Sequence, residues 1–154
     1  MLEIDKYIID EIKADATIAG YTGYSVNDPR VYQWEPPIPV SFGSTLPAAI
    51  FYRNNQVPTP YQSSFYSQRG NIYYYFQIVA LNKTLANQIA ERLLKLFKAD
   101  EHNSGFSTTN WRVLTVKNNG VMDGVNQGSP TKPLYVRNVS LLLKEVFSRT
   151  AFVE

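Results

Sequence analysis

The sequence predicts an α+β protein, a mainly antiparallel sheet with two helices packed on one face and long loops between elements. Three observations carry that prediction. Apolar residues recur at helical spacing in two places, once near the N-terminus and once at 85–97. Runs of β-branched and aromatic residues lie on both sides of the second helix. Proline, glycine and asparagine gather between these segments rather than inside them. The expected order is α-β-β-α-β-β, in one domain spanning 1–154.

The first helix rests on Ile4, Ile8, Ile9, Ile12 and Ala16, one stripe with Tyr7 beside it. Glu3, Asp5, Lys6, Asp10, Glu11 and Lys13 populate its other side. Gly20 suits a left-handed cap, so the helix is expected to end near 19–20. Residues 21–46 read as an irregular stretch, because Pro29, Pro36, Pro37 and Pro39 block helices and central strands alike. Val31 to Trp34 can supply one short strand there. Residues 48–53 read as a strand and 71–81 as a longer one, Ile72 to Val79 being almost all β-formers. Between them, 54–70 reads as a long loop, well beyond the two to five residues of an ordinary hairpin.

The second helix carries Leu85, Ile89, Leu93, Leu96 and Phe97 on one stripe, widened by Ala86, Ala90 and Leu94, with Asn82 or Thr84 as its cap. A polar break at 100–105 precedes a strand at 111–117, which Asn118, Asn119 and Gly120 are expected to end by turn chemistry. A second long connection, 118–133, leads to a strand over 134–147. Leu141 to Glu145 also fit a helix, but Tyr135, Val136, Val139, Val146 and Phe147 favour the strand.

Several chemistries lose their reagents at once. There are no cysteines, hence no disulfide, thiolate metal site or cysteine nucleophile. His102 is the single histidine; with Asp100 and Glu101 beside it, it lacks a second ligand cluster and reads as a solvated helix end. No serine sits in a Gly-x-Ser-x-Gly turn, and the glycines of 121–128 precede neither Lys-Ser/Thr nor a helix. The acidic residues fall on or beside the predicted helices, where solvated faces account for them. No enzyme activity, cofactor or metal is therefore expected. The acidic N-terminus does not read as a secretory signal, no apolar run is long enough to span a bilayer, and a net charge of +2 points to neither nucleic acid nor membrane.

Eleven tyrosines and eight phenylalanines supply contact area. Tyr73 and Tyr75 align on one face of their strand, Tyr74 and Phe76 on the other, and one pair should lie under the helices. The free pair suits single-stranded nucleic acid by stacking, yet Arg69 is the only basic residue between 54 and 81, and stacking without a basic track rarely carries binding.

The elements together resemble the phage tail terminator or tail-completion proteins, small neck subunits that form a ring at the head-proximal end of a tail tube. The resemblance runs through the opening helix, the Pro-rich entry, Leu46-Pro47-Ala48-Ala49-Ile50-Phe51-Tyr52, the strand from Tyr73 to Leu81, the helix that follows it directly from Thr84, and the two last strands. It implies a structural virion protein in the tail or neck, assembled in the host cytoplasm as a homo-oligomeric ring, commonly a hexamer. Its partners would be the tail tube protein and the head–tail connector, with the sheath protein a further candidate and DNA only passing cargo. The ring would stop tube polymerisation and join tail to head. Arg53, Tyr61, Phe65, Tyr66 and Arg69 are the interface candidates, with Arg149 and Phe152 in the C-terminal tail. Another neck, head-closure or minor tail protein is the alternative within the class, and a single-stranded nucleic-acid-binding sheet domain the alternative outside it.

Overall fold

The computed structural model describes residues 2–23, 30–33, 42, 47–58, 69–129 and 132–148; for 2, 56–58, 69, 127–129, 132 and 148 the backbone alone is described. The chain forms α1 (Leu2–Ala14), α2 (Ala16–Thr22), β1 (Val31–Gln33), β2 (Ala48–Pro58), β3 (Arg69–Ala80), α3 (Lys83–Leu96), β4 (Phe106–Ser107), β5 (Trp111–Asp123), β6 (Gln127–Ser129) and β7 (Lys132–Ser148). The class is α+β, as the periodicities require. The sheet runs β1-β2-β3-β7-β5-β4, with β6 folded back on the start of β7. It is mixed, because β1 lies parallel to β2 while every other described pair is antiparallel.

There are three helices among the described residues instead of two. The helical pattern does not stop at Gly20; it breaks at Asp15 and restarts. Asp15 caps α2 by accepting from the Ile18 N–H at 3.1 Å, and it receives the Arg92 guanidinium of α3 at 2.6 and 2.9 Å. Gly20 sits inside α2, and the left-handed cap falls on Gly23 at φ 72°. Ala16 is exposed and Ile18 takes the buried position expected of it.

One face of the sheet receives all three helices. Ile4, Ile8 and Ile12 of α1, Ile18 of α2, and Ala86, Ile89, Ala90 and Leu93 of α3 share a single core with Ile50, Ile72, Tyr74, Phe76, Ile78, Val139, Leu141 and Leu143. Each fully buried aliphatic side chain there contributes about 1.5–3 kcal/mol. Tyr74 keeps its hydroxyl inside that core by donating to the Asp5 carboxylate, which also accepts from Asn54 Nδ2 at 2.7 Å. Burial first, and the Asp5 hydrogen bond second, push the Tyr74 phenol far above its usual range, so it stays a donor. Glu3 fastens the start of α1 to the turn before β5, accepting from Thr108 Oγ1 at 2.9 Å and from the Asn110 N–H and Nδ2 at 3.1 and 2.7 Å. Glu3, Asp5 and Asp15 thus tie elements together, whereas the sequence suggested only solvated helix faces.

The strands are longer than expected, at the loops' expense. β2 runs through 54–58 and β3 begins at 69, so the predicted 54–70 loop shrinks to 59–68, which lies outside the described residues. Asn118, Asn119 and Gly120 do not end β5. The extra residue becomes a β-bulge between Asn118 and Gly120, with Gly120 at φ 135°, and the strand continues to Asp123. The 118–133 connection reduces to a short turn and the β6–β7 hairpin. β7 settles the strand-or-helix alternative at 141–145 as strand, with Glu145 at φ 57° where the register against β3 shifts. Gly105 is required by a close approach: a Cβ there would lie 2.3 Å from the Leu114 carbonyl oxygen.

Candidate functional site

Alternation along the strands builds the second face. In β3, Ile72, Tyr74, Phe76 and Ile78 point to the helices, so Tyr73, Tyr75, Gln77 and Val79 point away. Cross-strand register then assembles two zones on this outer face.

The first zone lies at the β1 end. Ala49, Phe51, Val79 and Val136 are buried there, with Tyr32, Phe42 and Leu134 packed against them. The Tyr32 and Phe51 rings stack at 5.7 Å. Arg30, 2% exposed and in the left-handed region at φ 61°, closes this end by donating from Nε to the Ala48 carbonyl at 3.2 Å, with its guanidinium 5.3 Å from the Phe42 ring. This is a small second core.

The second zone is the candidate site. Tyr73 and Tyr75 stack at 6.4 Å, and the exposed Arg53 lays its guanidinium 5.2 Å from the Tyr75 ring centre. Leu142 lies opposite Tyr73, and Lys117 lies opposite Leu142 on the next strand. Ser140 is opposite Tyr75, and Asn138 opposite both Gln77 and Met122. A groove of about 300 Å³ runs among Arg53, Tyr75, Met122, Asn138 and Ser140. Its lining pairs aromatic and thioether surface with a few hydrogen-bonding groups, a composition suited to a protein side chain or a flat ring.

Of the sequence-derived interface candidates, Arg53 alone has a described side chain, and it belongs to this zone. Arg69 lies in β3 opposite Phe147. Tyr61, Phe65, Tyr66, Arg149 and Phe152 lie outside the described residues. The expectation that one aromatic pair goes under the helices holds, with Tyr74 at 0% and Phe76 at 1% exposure. Sequence reasoning missed Lys117, Leu142, Met122, Asn138 and Ser140, which only the register brings beside Arg53, Tyr73 and Tyr75. It also placed the nearest positive charge at Arg69, whereas Arg53 lies against Tyr75 from β2 and Lys117 shares the outer face two strands away on β5.

Among the described residues no group of three His, Asp or Glu side chains is placed to hold a metal ion, and His102 is exposed at the turn after α3. No described helix is long and apolar enough to cross a membrane.

Fold and surface together define an α+β protein with a mixed sheet, covered by helices on one face and presenting an aromatic and basic surface on the other. No family model matches the chain, and no curated protein matches it. Among solved structures, a chain of the virion of a native gene transfer agent particle is similar at 11% identity, over 92% of this chain and 91% of that one, with a TM-score of 0.48. A likeness so slight carries no argument about this protein.

Proposed function

We propose that this chain is a structural subunit that closes into a ring at the head-proximal end of a phage-type tail tube, ending tube growth and joining the tail to the head connector. The observation that carries the reading is the outer zone of the sheet. Arg53, Tyr73, Tyr75, Leu142 and Met122 form a surface of the residue types that anchor protein–protein contacts, on a rigid sheet braced from behind by three helices. The element order that resembles tail terminator proteins supplies the place of the ring, with the tube protein below it, the connector above it, and the sheath protein as a further neighbour. Such a protein acts by shape and contact, and needs no reactive group. Arg69, Tyr61, Phe65, Tyr66, Arg149 and Phe152 remain proposed contacts of the same kind.

A second reading has its own observation. Tyr73 and Tyr75 stack on an outward face with Arg53 against Tyr75 and Lys117 two strands away across Leu142, which suits a single-stranded nucleic acid. Native mass measurement, alone and in the presence of tail tubes, tests the two together. A discrete closed ring supports the structural reading. A monomer in both conditions that binds a single-stranded oligonucleotide with steep salt dependence overturns it in favour of the second.

A further inference from the structure

Among the described residues each outer edge of the sheet is paired over only half its length, and the unpaired halves are diagonal. On the β2 side, β1 pairs with 50–52, and the Ile50 N–H donates to the Arg30 carbonyl at 2.9 Å. On the β5 side, β4 pairs with 112–113. The segment after α3 then covers the next stretch. The Asp100 N–H donates to the Val116 carbonyl at 2.9 Å, the Val116 N–H to Ser104 Oγ at 2.9 Å, and the Asn118 N–H to Asp100 Oδ1 at 3.2 Å. Among the described residues nothing pairs with the outer edge of β2 beyond Arg53 or of β5 beyond the bulge. The residues that follow β1 in sequence include Pro36, Pro37 and Pro39, which have no N–H to offer an edge.

The two open segments match in three respects. Antiparallel alternation, anchored by the outward Ile50 N–H, turns the N–H and C=O of Asn54 and Gln56 outward from β2. The Gly124 N–H donates to the Val136 carbonyl at 2.9 Å, so even-numbered residues after the bulge bond β7 and the backbone groups of Val121 and Asp123 turn outward. Side chains agree as well: Asn55 and Met122 share the outer face, Asn54 and Asp123 the helix side. Finally, Tyr52, Phe76, Val139 and Val121 lie at one level of the sheet. Bringing Asn55 level with Met122 therefore needs a slip of about four residues, roughly 13 Å, across four strand spacings of about 4.8 Å. That corresponds to a strand tilt of about 35°, within the range closed sheets adopt.

We propose that a second copy of this chain is the partner of both edges. The Asn54–Val57 edge of β2 in one copy adds, antiparallel, to the Val121–Asp123 edge of β5 in the next, with Asn54 opposite Asp123, Asn55 opposite Met122 and Gln56 opposite Val121. The contact uses two different patches, so it propagates head to tail, and the tilt lets it close without an axial rise. It also covers Met122, an apolar side chain left 64% exposed in the single chain. The inference rests on the ring reading and gives that ring its seam.

The chain has no cysteine, which makes the seam directly testable. Asn55 and Met122 would form a non-hydrogen-bonded pair, whose close spacing suits a disulfide. Under mild oxidation the double variant Asn55→Cys/Met122→Cys should give a ladder of covalent oligomers ending at the ring. A mixture of the two single variants should stop at covalent dimers between them. Val121→Pro, which removes one outward N–H and also alters a side chain packed against the core, should weaken assembly at least tenfold in protein that circular dichroism shows to be still folded. Rings that form normally from Val121→Pro, or that give no ladder from the double variant, overturn the seam and leave the ring reading standing. A wild-type chain that stays monomeric even on tail tubes overturns both.

Discussion

The two faces of this sheet are made by the same strands and are governed by different physics. On the helix side every long strand contributes fully buried apolar side chains, and the phenol of Tyr74 buried among them is hydrogen-bonded to Asp5, which also accepts from Asn54. On the outer side, apolar burial is confined to the small cluster around Phe51 and Val136, and beyond it the surface is a mosaic of Tyr73, Tyr75, Arg53, Leu142 and Lys117. The first face stabilises the fold. The second is free to vary without unfolding the chain, which is the freedom a contact surface needs.

Adjacent residues offer the sharpest break of that comparison. Leu141 is 0% exposed against the helices, while Leu142 faces outward and is half-buried. Leu141→Ala should cost about 2–5 kcal/mol in urea unfolding, and Leu142→Ala roughly 1 kcal/mol. Equal losses would mean that the two faces are not separated as described.

Next in size is the junction of the helices. Asp15→Ala removes the cap of α2 and the partner of Arg92, for an expected loss of about 1–2 kcal/mol. The Arg92 hydrogen bond, aided by the Ile18 N–H, holds the Asp15 carboxyl below its ordinary value of 3.8. A lowered pKa stabilises the fold in full above the ordinary value and ceases to do so as pH falls through the folded one. Wild type should therefore lose stability relative to Asp15→Ala as pH drops below about 4, measured by melts at a series of pH values. A constant gap between the two down to pH 2 would deny the pair its role.

The smallest expected effect on folding is the most telling for function. Lys117→Ala should leave stability within about 0.5 kcal/mol, since the side chain is exposed. If the outer face binds a single strand, the same variant should lower the salt slope of oligonucleotide binding by about one unit. If the face serves subunit contact, oligomer mass should respond to Tyr75→Ala far more than to Lys117→Ala.

Much of the helix side is legible in the order of the residues. The isoleucine stripe of α1, the leucine stripe of α3 with Asn82 at its cap, and the β-rich runs of β3 and β7 each declare themselves by local period, because helix and strand expose alternate faces at fixed intervals. Asp15 does not, since its role depends on an arginine 77 positions away. Neither do Asn118, Asn119 and Gly120. Their turn chemistry is genuine, but β7 keeps pairing on the far side and the chain absorbs the extra residue as a bulge.

Composition and period alone determined the class, the core stripes and the absence of cysteine chemistry, all of which follow from which side chains water rejects and how often they recur. Tertiary structure alone decided that β1 runs parallel to β2, that Lys117 shares the outer face with Tyr73 across Leu142, and which halves of the two edges the described residues leave unpaired. Those are matters of register between strands distant in sequence, and register is set by the packing of a whole face, which no local stretch of sequence contains.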